Sequence, residues 1–243
     1  MARRRADGPG AAPVVAPFYD KGGKMKVLIF GASGMIGQAV LQAAIADPQV
    51  TQILSLVRKP TGVTDPKLTE IARDDFTTYD DLDLHDVDAC LFCLGVLSSS
   101  VTPEAYRKIT YDYAVTAAKA LLAANPEARF LYISGAGTDA NSRTLWRKVK
   151  GETENALMAM PFRGAFMLRP SFIQPVDGVT SRTPSYRLLY KVIAPLLGPL
   201  RRIAPGAAIT SADLARAMLV LGRKGTGKQV LSTRQLNEIA AAE

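Results

Sequence analysis

The chain has 243 residues and a formal charge of +8, from 30 Lys and Arg against 22 Asp and Glu, and 48% of it is hydrophobic. Such a chain can bury a core of its own and is not a disordered polymer. One histidine and two cysteines exclude a His-rich zinc site and a disulfide scaffold, and leave a Ser-His-Asp hydrolase only His85 as its base; no metal is expected.

The first 24 residues mix Arg3, Arg4, Arg5, Lys21 and Lys24 with glycine, proline and alanine, and have no apolar run. They read as a disordered basic extension and not as a signal peptide. Half of the charge excess lies within residues 1–26, so no specific nucleic-acid partner is expected of the folded body. No stretch reaches the ~18 uninterrupted apolar residues of a membrane span, and a cytoplasmic location is expected.

The domain is expected over 25–243. A strand at 26–30 ends in a glycine turn, and a helix at 35–46 stops at Asp47-Pro48. Strands follow at 52–57, 68–72 and 87–94, then a long helix at 103–124 closed by Asn125-Pro126, a strand at 129–134, a helix at 142–160 and a strand at 165–168. Alternating apolar strands and helices imply right-handed βαβ units, an α/β fold with a doubly wound parallel sheet covered on both faces. Residues 171–210 are rich in Pro, Gly and Arg, with a helical piece at 184–203, and read as a small C-terminal substrate cap. A helix at 214–221, capped by Thr210 or Ser211 and then Asp213, precedes a strand at 229–231 and a last helix ending at Ile239.

The glycine turn carries the chemistry. Gly31, Ala32, Ser33, Gly34, Met35, Ile36 and Gly37 join the first strand to the first helix with GxxGxxG spacing. Glycines there allow a sharp turn and let backbone N–H groups approach a pyrophosphate at the positive end of a helix. An acid at the end of the second strand would hold the ribose diol of NAD. The residues found there are Arg58 and Lys59, which repel no 2′-phosphate and can pair with one. NADP(H) is therefore favoured over NAD(H), although two cations can also simply solvate a strand end.

With these landmarks the chain resembles the short-chain dehydrogenase/reductase superfamily and its atypical, NAD(P)-binding, epimerase/dehydratase-like branch, including the group of the HIV Tat-interactive protein oxidoreductase. The likeness covers residues 26–213: the glycine turn, Cys93-Leu94-Gly95, Tyr132-Ile-Ser134, Val149-Lys150-Gly151-Glu152 and Leu168-Arg169-Pro170. It implies a Rossmann-type fold and an active site of Ser, Tyr and Lys, the last two on one helix face at i and i+4. Ser134 matches the serine, which positions a substrate carbonyl, and Lys150 the lysine, which holds the nicotinamide ribose and lowers a tyrosine's pKa. Four residues before Lys150 stands Trp146, whose indole donates a hydrogen bond but exchanges no proton near neutral pH. Another donor would have to serve (Tyr106, Tyr186, Tyr190, Ser98 to Ser100, or a water on Ser134), or the protein binds NADP(H) as a non-catalytic regulator. The resemblance also puts Asp75 and Phe76 beside the adenine, Cys93, Leu94 and Gly95 beside the cofactor, and Pro170 to Ile173 near the nicotinamide.

Other motifs read as structure. Cys90 and Cys93, three apart on a strand, point to opposite faces. Residues 222–228 fit GxxxxGK but lie between a helix and a strand and lack the Ser or Thr of a phosphate loop. His85 reads as a solvated loop residue. Residues 186–203 read as part of the cap in preference to a peripheral membrane helix. A small-molecule substrate is the expected partner, and the cap or the long helices could each make a homodimer interface.

Overall fold

A computed structural model describes residues 24–176 and 206–242. The expected tail, the helical piece at 184–203 and the candidates Tyr186 and Tyr190 lie outside the described residues, apart from the exposed Lys24. β1 (Met25–Phe30), β2 (Val50–Val57), β3 (Leu68–Ala72), β4 (Ala89–Phe92), β5 (Arg129–Ile133), β6 (Gly164–Arg169) and β9 (Val230–Ser232) form one sheet, ordered β3-β2-β1-β4-β5-β6-β9. Every pairing in it is parallel, as the Rossmann-type reading requires. The order reverses between β1 and β4, which opens a crevice at their carboxyl ends.

The apolar strands have two faces to cover. From β1, Val27 and Ile29 enter one core layer, with Val40 and Leu41 of α1 (Met35–Ala46), Leu214 and Met218 of α5 (Ser211–Lys224) and Leu236 of α6 (Thr233–Ala241). Leu28 and Phe30 enter the other, with Leu121 of α3 (Tyr113–Ala124) and Leu157 of α4 (Leu145–Met158). The second layer is aromatic: Phe30 and Phe92 lie 4.9 Å apart, and Phe30 meets Phe76 edge-on at 6.0 Å, contacts worth about 0.5–1.5 kcal/mol each beyond their buried area. Cys90 belongs to this layer and Cys93 packs against the first, so the two thiols stand on opposite faces of the sheet.

Three elements differ from expectation. The helix expected at 103–124 is α2 (Pro103–Arg107), one π-turn (Lys108–Asp112) and α3. A wider turn directs the Thr110 carbonyl sideways, where it accepts from Tyr132 Oη at 3.4 Å, beside Thr153 Oγ1, which donates to the Val149 carbonyl at 2.7 Å. The next helix begins at Leu145, because Ser142 N–H donates to the Asp139 carbonyl and Thr144 N–H to Ser142 Oγ, holding the preceding residues in turns. The two ends of the expected cap are strands, β7 (Phe172–Gln174) and β8 (Ala208–Thr210), paired in parallel. α5 follows β8 directly, capped by Thr210 Oγ1, which accepts from Asp213 N–H at 2.9 Å.

Candidate functional site

At the reversal point the glycine turn closes on itself. Gly31 has φ +78°, and a Cβ on it would lie 2.8 Å from the backbone of Leu94. A Cβ on Gly37 would lie 2.0 Å from the Gly31 carbonyl oxygen. These two glycines let α1 and the β4 loop approach the turn. Gly34 is different: a Cβ there would meet only the Gly31 carbonyl, at 3.3 Å. Gly34 is the N-cap of α1; no side chain caps this end and no acid sits in its first turn. The first N–H groups of α1 therefore face an open cradle that suits an anionic diphosphate. Ala32 is buried, while Ser33, Met35 and Ile36 are half-buried around the cradle.

Arg58 and Lys59 follow β2, are exposed, and make no hydrogen bond or ion pair with the described residues. On the same side Asp75 pairs loosely with Lys108, at 3.7 Å. Phe76 is 3% exposed, with its ring against Phe30 and Tyr113, so only its backbone is available to a ligand. Cys93 N–H donates to the Phe30 carbonyl, and burial pushes its thiol up to about 12. Gly95 is exposed, with open space around its Cα.

Ser134, Trp146 and Lys150 come together beyond β5. Lys150 Nζ donates to the carbonyls of Ile133 and Ser134, both at 3.0 Å, and stands 5.6 Å above the Tyr132 ring. Burial lowers its pKa from 10.5 to about 8, with Glu154 one turn along the helix opposing the shift. The Trp146 ring edge lies beside Gly135, 3.7 Å from where a Cβ would be, and the Arg147 guanidinium sits over the indole. Ser134 Oγ and Thr138 Oγ1 are 2.9 Å apart, and both residues are buried. Thr138 spends its only proton on the Gly135 carbonyl at 2.8 Å, so in this arrangement the Ser134 hydroxyl donates to Thr138. Gly151 lets the loop approach: a Cβ there would lie 2.2 Å from Ala140 N.

Tyr106 is 1% exposed, and burial pushes its phenol up against the opposing hydrogen bond from Thr110. Ser99 and Ser100 are exposed and Ser98 is half-buried; Ser100 Oγ donates to the Leu97 carbonyl. Pro170 is buried, and its carbonyl accepts from Ala136 N–H. Ile173, in β7, is half-buried and packs against the first core layer.

Two residues escaped the sequence reading. Thr138 carries no motif that marks it. Glu154, four residues after Lys150, is 1% exposed and is held by both Arg169 Nε, at 2.9 Å, and Arg169 Nη2. The i, i+4 spacing to Lys150 was the available signal. Among the described residues no group of three or more His, Cys, Asp or Glu gathers as a metal site, and no helix is long and apolar enough to cross a membrane. His85 is exposed, its ring Nδ1 3.0 Å from the Ala124 carbonyl.

Residues 27–148 match the NAD dependent epimerase/dehydratase family. The chain belongs to that family. The matched residues hold the glycine turn and β1 to β5 of the parallel sheet, including the point where the strand order reverses. Among relatives, it is 25% identical over 153 residues to "Protein FMP52-1, mitochondrial" of Scheffersomyces stipitis, covering 61% of this chain and 67% of the relative. Its fold is similar to that of an oxidoreductase of the short-chain dehydrogenase/reductase family from Burkholderia thailandensis, with TM-score 0.61 and 17% identity over 90% of this chain and 96% of that one. It is also similar to the Bordetella bronchiseptica enzyme WbmH in complex with NAD+, with TM-score 0.60 and 16% identity over 90% and 79% of the two chains. The cytoplasmic expectation is corrected here: the relative and its namesakes are called mitochondrial. The absence of an apolar span, on which that expectation rested, does not distinguish compartments.

Proposed function

We propose that this chain is an NADP(H)-dependent oxidoreductase of the atypical short-chain class, acting on a carbonyl or alcohol substrate. The observation that carries the reading is the open N-terminus of α1 over Gly34, flanked by the two unengaged cations Arg58 and Lys59. The cradle takes the diphosphate, and the two cations at the end of β2 take a 2′-phosphate by charge-assisted hydrogen bonds. When bound, the dinucleotide supplies the hydride. The protein contributes Ser134 to place the substrate oxygen and Lys150 toward the ribose. To hold a carbonyl, the Ser134 proton turns from Thr138 to the substrate, and Thr138 turns its own proton to Ser134 Oγ.

A second reading has its own observation. Trp146 stands where a proton-exchanging tyrosine is needed, and Lys150 is already engaged with two backbone carbonyls. This favours a non-catalytic NADP(H)-binding regulator. The single tryptophan separates the possibilities in solution. NADPH should quench Trp146 fluorescence more strongly than NADH at equal concentration, and Arg58→Ala should weaken NADPH while sparing NADH. Equal loss for both nucleotides refutes the 2′-phosphate role, and no quenching by either refutes cofactor binding. NADPH oxidation across a carbonyl panel then distinguishes enzyme from regulator.

A further inference from the structure

Beyond Ala136 lies a cavity of about 540 Å³, lined by Arg169, Ser171, Ser232, Thr233, Arg234 and Gln235 among others, a size that accepts a small ligand. The hydrogen bond from Ala136 N–H to the Pro170 carbonyl ties it to the loop that begins at Ser134. Its polar wall is already built. Thr233 Oγ1 accepts from Ser171 N–H at 2.8 Å and donates to Ser171 Oγ at 3.1 Å, and Thr233 is 2% exposed.

The charge in the cavity is one-sided. No carboxylate is among the described residues that line it. Arg169 is neutralised by Glu154 outside the cavity. Arg234 is exposed and makes no hydrogen bond or ion pair with the described residues, which leaves one uncompensated guanidinium beside hydroxyl and amide groups. A guanidinium fork recognises carboxylate and phosphate oxygens in pairs.

We infer that this cavity is a subsite for an anionic group, carboxylate or phosphate, on the substrate, with Arg234 as its counter-charge. The inference deepens the oxidoreductase reading, because the subsite lies next to the loop that carries Ser134. The substrate class it names is a small carbonyl or alcohol compound bearing an acid group.

The test is a calorimetric titration of the full chain, with and without NADPH, at constant ionic strength. Inorganic phosphate and succinate are the two probes. The expected result is binding of one or both, weakened about tenfold by Arg234→Gln and unchanged by Arg163→Gln, a control outside the cavity. Preference for phosphate or succinate distinguishes the two acid types. Binding of neither probe, or equal binding by the wild type and Arg234→Gln, overturns the subsite. If Arg234-dependent binding persists while NADPH fails to quench Trp146, the subsite stands and the cofactor reading falls.

Discussion

The guanidinium of Arg169, at the end of β6, grips both carboxylate oxygens of Glu154, which is 1% exposed on α4. This pair fastens to the sheet the helix that presents Trp146 and Lys150. Removing Arg169 leaves a carboxylate buried without its partner. Arg169→Ala should therefore cost about 3 kcal/mol in urea unfolding, the low end for a broken buried pair because the arginine is a third exposed. The double change Arg169→Met with Glu154→Gln should recover part of that loss. A single-mutant cost within ~0.5 kcal/mol of zero would show that the pair does not anchor the helix.

The glycines of the turn should separate fold from binding. Gly37→Ala forces a Cβ to within 2.0 Å of the Gly31 carbonyl and should destabilise by about 3 kcal/mol or more. Gly34→Ala, with 3.3 Å to the same atom, should leave the melting temperature nearly unchanged while weakening NADPH binding, since the methyl enters the cradle. Loss of the fold in Gly34→Ala, or retained affinity, would contradict this division.

Thr138 should matter through its hydroxyl. Thr138→Val leaves the Ser134 hydroxyl and Gly135 carbonyl without these partners and should cost about 1–3 kcal/mol. Thr138→Ser should restore most of it. A cost of Thr138→Val near zero, or one no larger than that of Thr138→Ser, which lacks only the methyl, would show that the hydroxyl does not dominate the effect.

Lys150 makes stability depend on pH in a defined direction. Burial lowers its pKa from 10.5 to about 8, so between these values the unfolded chain holds a proton that the folded chain has released. Stability from this group must rise with pH across that window. The stability of the wild type relative to Lys150→Met should therefore grow from pH 7 through 8 and level off near 10.5. Taking the difference removes the opposing contributions of Cys93 and Tyr132, which both proteins share. A flat difference would show that Lys150 is not desolvated by folding.

The strands and the turn were legible in the chain because their signals are local. An apolar run ending in Gly31, a helix stopped at Asp47-Pro48 and β3 at 68–72 each follow from neighbouring residues, and the structure has them at or near those bounds. Ser134 and Lys150, singled out by family resemblance, are neighbours in the fold, where Lys150 Nζ donates to the Ser134 carbonyl. The π-turn was not legible. The carbonyl it turns aside, that of Thr110, accepts from Tyr132 on another element, a partner that nothing in the residues of 103–124 marks.

Composition and charge argued against zinc sites and disulfide scaffolds at the outset, and the short-range pattern specified a parallel α/β sheet with a glycine turn before its first helix. Distance along the chain concealed the rest. Phe76 turned into the aromatic layer, Ile173 onto the core, and Thr138, Glu154 and Arg169 into contacts with site residues. Those partners are chosen when strands and helices pack, and the hydrogen bonds that decide them join residues whose spacing carries no periodic signal. The surplus of positive charge divided in the same way. Counting assigned half of it to the tail, but folding determined that Arg169 is neutralised while Arg58, Lys59 and Arg234 remain unengaged by the described residues.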